Sequence, residues 1–152
     1  MNWEKLFKRY IWDDDRTPYF VPASKMTAKQ ADYEIFAYTV FLGSLFTILC
    51  LVALAAEPRS DAALLYLFTA IVAAVVLGIT KNLFAAWYCG AAPAVVLLYL
   101  VLYGFPASLA AIDHFVLIIF AVVWLRYGYR VVDIAKAYPD MPNQAPSDPD
   151  GS

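Results

Sequence analysis

A chain of 152 residues that is 62% hydrophobic and 16% charged, with a mean hydropathy of +0.62, is too apolar for a water-soluble domain of that length and reads as a membrane protein. With most of the length committed to crossing a bilayer, too little remains for a nucleotide-binding fold or a large catalytic domain. The net charge of −2 and the pI near 5.2 supply no overall basic field, so nucleic acid is not expected as a partner.

Residues 1–34 form a charged arm. Trp3, Leu6, Phe7, Tyr10 and Ile11 recur at i, i+3, i+4, i+7 and i+8, with Glu4, Lys5, Lys8 and Arg9 on the other face. The pattern predicts an N-terminal amphipathic helix in the membrane interface, its basic face drawn to anionic lipid. The same stripe also suits docking on this chain's own helices or on another subunit. Asp13-Asp14-Asp15 lacks the alternate spacing and the glycine of a calcium loop and is read as solvated charge. Thr17 to Pro22 should be extended, because proline restricts itself and its predecessor. Thr27 and Gln30 then form a capping box that starts a helix running through Asp32 and Glu34 into the first apolar stretch.

A bilayer core takes about 20 apolar residues per helix. Four stretches qualify, at 35–56, 62–80, 83–102 and 109–127. They are separated by the charged run Glu57 to Asp61, by Lys81-Asn82, and by the turn signal Tyr103-Gly104-Phe105-Pro106, with Ser108 as the expected N-cap of the fourth span. Residues 128–152 continue as a surface helix that Pro139 stops, followed by a polar tail, Pro139 to Ser152, whose composition predicts disorder. The expected fold class is an all-α membrane protein with four transmembrane helices. No internal repeat supports an inverted-repeat transporter.

In lipid, helices associate where small residues let backbones approach. Span two carries Ala70, Ala74 and Gly78, and span three carries Ala86, Gly90 and Ala94. In an antiparallel hairpin turning at Asn82, Ala70 would meet Ala94, Ala74 would meet Gly90 and Gly78 would meet Ala86, which predicts a tight hairpin of spans two and three. Pro93 with Gly90 predicts a kink in span three. Gly43, Ser44 and Thr47 form a small polar stripe on span one, facing either that hairpin or a partner.

Of the eleven basic residues, only Arg59 falls in a loop between spans one and two or three and four; Lys5, Lys8, Arg9, Arg16, Lys25, Lys29, Lys81, Arg126, Arg130 and Lys136 fall on the other side. The positive-inside rule then puts both termini in the cytoplasm of a cell inner membrane. Trp3, Trp12, Trp87 and Trp124 fall on that side as an aromatic belt. No signal peptide is visible, so the first span is expected to direct its own insertion. Cys50 and Cys89 lie toward opposite faces of the bilayer, too far apart for a disulfide.

Asp113 and the single histidine, His114, stand near the outer end of span four, and ionisable residues there are candidates for function. The favoured reading is a hydrogen-bonded polar pair at the interface, where the helix dipole and water stabilise the carboxylate. A proton relay would need further charges along the spans. No cofactor is predicted, haem or chlorophyll on His114 being a lesser reading, because one histidine supplies a single axial ligand. Ser108 lies six residues from His114, on another helix face, and no catalytic motif accompanies it, so an enzyme is not expected. The expected role is an accessory, assembly or stabilising subunit of a larger membrane complex, with membrane lipid and other integral subunits as partners. The alternatives are a cofactor- or quinone-binding subunit using Asp113 and His114, and a small oligomeric channel or exporter.

Overall fold

The computed structural model describes residues 21–55, 60–104 and 110–143, and among these all regular structure is helical. Four helices, α1 (Ala28–Ala55), α2 (Asp61–Thr80), α3 (Leu83–Tyr103) and α4 (Ala111–Ala137), are each long and apolar enough to cross a membrane. Short 3-10 turns at Ala23–Lys25 and Tyr138–Asp140 precede the first and follow the last.

Each described helix start has a chemical cause. The Thr27 box closes in both directions: Gln30 Oε1 accepts from the Thr27 N–H at 3.0 Å, and Thr27 Oγ1 accepts from the Gln30 N–H at 3.3 Å. Ser60 Oγ accepts from the Ala63 N–H and caps α2. Asn82 Oδ1 accepts from the N–H groups of Phe84 and Ala85 and caps α3. The preceding residue, Lys81, takes a left-handed conformation at φ 53°, so α2 and α3 are joined by two residues only. Gly104, at φ 76°, ends α3 where the turn signal stands.

Two expected boundaries shift. The fourth helix begins at Ala111 rather than at 109, with Ala110 as its N-cap, and Ser108 lies outside the described residues. The chain after Pro139 is partly ordered by packing that composition does not reveal: Met141 packs on the core and the Pro142 carbonyl accepts the Ala28 N–H at 2.9 Å. An open donor at the start of α1 therefore holds down a polar segment. The amphipathic arm, including Trp3, Lys5, Leu6, Phe7, Lys8, Arg9, Tyr10 and Ile11, lies outside the described residues, as do 144–152.

In the bundle α1 packs on α2 and α4 packs on α3, both more extensively than α2 packs on α3. Buried positions run from Ala31 to Phe46 in α1, Leu67 to Leu77 in α2, Ala85 to Pro93 in α3 and Ala121 to Ala135 in α4. Most of these lie toward the end where α1 begins and α4 finishes. Phe46 and Leu67 reach furthest toward the opposite end, and beyond them none of the helix residues described over 47–55, 61–66, 94–102 and 112–120 is buried. The bundle is therefore tight at its basic end and open at the other.

The two glycines of the expected ladder face other helices than the ladder gives them. A side chain built on Gly78 would meet Thr39 Oγ1 of α1 at 3.1 Å. One built on Gly90 would meet the Gly128 carbonyl oxygen and Val132 Cγ2 of α4, both at 3.2 Å. Ala94 is exposed, whereas Ala70, Ala74 and Ala86 are buried. The glycines thus sit at the α1–α2 and α3–α4 contacts, and the α2–α3 pairing is instead marked by a hydrogen bond of 2.7 Å between the Thr69 and Tyr88 hydroxyls.

Candidate functional site: a polar clamp and a groove at the basic end

The groups that tie the helices together begin at Tyr38. Pro93 has no N–H, so the carbonyl four residues earlier, on Cys89, lacks its helical donor. The Tyr38 hydroxyl of α1 donates to that carbonyl at 3.2 Å and accepts from Trp124 Nε1 of α4 at 3.3 Å. One phenol thus joins three helices where lipid offers no substitute partner. Trp124 is only 7% exposed, so it belongs to the core and not to an interfacial belt, whereas Trp87 is 51% exposed and in edge contact with Tyr129. Gly128 makes the arrangement possible, since a side chain there would stand 3.0 Å from Gly90 Cα and 3.3 Å from Tyr38 Oη.

One turn toward the basic end, Glu34 is 3% exposed and paired with Arg130 of α4. Arg130 Nε donates to Glu34 Oε1 at 2.6 Å and Nη2 donates to Oε2 at 3.1 Å, the two-pronged geometry open to arginine and closed to lysine. The same Nη2 reaches the Val21 carbonyl at 2.9 Å, fixing the segment before α1. Nearby, Asp32 accepts from the Tyr138 hydroxyl at 2.9 Å and lies 3.3 Å from Lys81 Nζ. These contacts connect α1, α4, the α2–α3 turn and both flanking segments.

Beside the clamp runs a groove on the outer face of α4. Its deeper part, about 300 Å³, is an aromatic slot between α1 and α4 walled by Tyr38, Phe41, Phe120, Val123, Trp124 and Tyr127. The part nearer the basic end, about 910 Å³, shares Val123 and Tyr127 with the slot and reaches Pro22, Arg126, Arg130 and Asp133. The slot is nearly all apolar, while the wider part carries charge.

Asp113 and His114 do fall together, in the first turn of α4, and both are half-buried. Asp113 Oδ2 accepts from the Ala110 N–H at 3.0 Å, so this carboxylate satisfies one of the open donors of its own helix start. The flanking Ile112 and Phe115 are exposed. Both cysteines are free, and among the described residues no three His, Cys, Asp or Glu side chains are grouped to hold a metal ion.

The clamp and Gly128 are contacts that the linear pattern conceals. Glu34 and Arg130 each read as a flanking charge at the end of an apolar run, and 96 residues separate them. Gly128, between Tyr127 and Tyr129, falls just beyond the fourth apolar run, which leaves its small size as its one signal. No family model, curated protein or solved structure matches the chain.

Proposed function

We propose that the protein is an accessory, assembly or stabilising subunit of a larger membrane complex, held in a cell inner membrane with both termini in the cytoplasm. The observation that carries this reading is the small polar stripe of α1. Gly43 has no atom within 4 Å of where a side chain would begin, and Ser44 and Thr47 are exposed. Thr47 Oγ1 turns back to the Gly43 carbonyl at 2.6 Å, which satisfies its hydrogen and leaves a shallow, smooth surface at mid-span. Small residues in lipid favour helix contact, and this stripe meets no helix among the described residues. The open end of the bundle adds uncovered faces of α3 and α4 to the same argument. The ten-to-one distribution of basic residues supports the orientation. The amphipathic pattern of Trp3, Leu6, Phe7, Tyr10 and Ile11 suits a second contact with lipid or partner.

A photo-crosslinking side chain at Ser44 in native membranes is expected to give one discrete adduct with another integral membrane protein. Gly43→Leu should abolish that adduct without unfolding the chain, because nothing occupies the space. Crosslinking to lipid alone, or an adduct indifferent to Gly43→Leu, would overturn the reading.

A further inference from the structure

The groove along α4 has the layout of an amphiphile site. Its apolar slot lies deeper along the helix, and Arg126, a turn beyond Val123, stands at its rim. Arg130 is committed to Glu34, but Arg126 is exposed and, among the described residues, forms no ion pair. The same holds for Asp133, also exposed, seven residues further along the same helix and so about 10 Å farther from the slot. Those two charges are too far apart to neutralise each other directly. The groove therefore presents, in order outward from the apolar slot, a cation and then an anion.

We infer that this groove binds one zwitterionic glycerophospholipid, with an acyl chain in the slot of Phe41, Phe120 and Trp124, the phosphodiester at Arg126 and the headgroup ammonium at Asp133. The order of charges matches the order in the lipid, whose phosphate lies nearer the chains than its amine. The 300 Å³ and 910 Å³ spaces are of the size that holds an amphiphile rather than a single ion. Arginine gives the phosphate two parallel donors, and the carboxylate distinguishes an ethanolamine head from an uncharged glycerol one. A diacylglycerol would fill the slot and leave both charges without a counterpart.

The full chain, stripped of lipid in detergent, would be titrated by native mass spectrometry with phosphatidylethanolamine, phosphatidylglycerol and diacylglycerol of identical acyl chains. Phosphatidylethanolamine is expected to bind about tenfold more tightly than diacylglycerol and more tightly than phosphatidylglycerol. Arg126→Gln should remove the advantage of both phospholipids over diacylglycerol. Asp133→Asn should remove only the preference for ethanolamine, and Ala37→Phe, which fills the slot from an exposed position, should weaken all three. All three substitutions are at exposed positions, so folding is checked by an unchanged Tm. Equal binding of diacylglycerol, a preference for phosphatidylglycerol, or indifference to Arg126→Gln or to Asp133→Asn would overturn the assignment.

Discussion

Glu34 and Arg130 show how much one pair can do at the rim of a bundle. A carboxylate that is 3% exposed is tolerable only while a guanidinium satisfies both of its oxygens, and Arg130 does so while also holding Val21. Removing one partner leaves a buried charge. Arg130→Lys keeps the charge but supplies a single point of contact, so it should behave as a loss. Thermal unfolding in detergent is expected to show both Arg130→Lys and Glu34→Gln destabilised by about 3 kcal/mol, the low end for a buried pair because the Arg130 side chain retains 23% exposure. The Asp32–Lys81 contact is different: Asp32 is nearly half exposed, and Asp32→Asn should cost less than about 1 kcal/mol. At this scale the sequence was partly informative. It marked the charges, but a contact 96 residues apart has no local signature.

Among the elements, the helix starts were the most legible feature, because a cap is a local chemical event. Thr27 with Gln30 and the Asn82 turn are recognisable from three or four residues, and both close as their side chains require. Helix pairing was not legible to the same degree. Glycine spacing says that a helix can be approached closely, but it does not say by which neighbour, and in a four-helix bundle each helix has two. Gly128 is the position where that approach is tightest. Gly128→Ala would place a methyl 3.0 Å from the Gly90 backbone, which cannot swing aside, and should destabilise the α3–α4 contact by about 1–3 kcal/mol. Gly43→Ala, into open space, is expected to be neutral or slightly stabilising. Comparing the Tm of the two alanine variants checks the difference.

Across the whole molecule the packing is lopsided. The phenol at position 38, the ion pair and the pinned flanking segments all lie at or toward the basic end, and no described helix residue beyond Phe46 and Leu67 is buried toward the other. Spin labels at Tyr33 and Tyr129 should therefore report a narrow distance distribution in lipid, and labels at Leu51 and Ile112 a broad one. Equal widths would mean that the open end is held as firmly as the closed one. The lengths of the apolar stretches are enough to count four spans, but this unevenness comes from side-chain size and hydrogen bonding, which hydropathy does not weigh.

The order in which the helices leave the ribosome gives the Glu34–Arg130 contact a meaning in time. Glu34 emerges with the first helix, while its partner arrives only with the last, after three further spans have been made. Until then a carboxylate sits at the membrane rim without its counter-ion, and the Val21 segment has nothing to fasten it. A nascent or truncated chain lacking the fourth helix would thus carry an exposed mark of incompleteness that the finished protein hides.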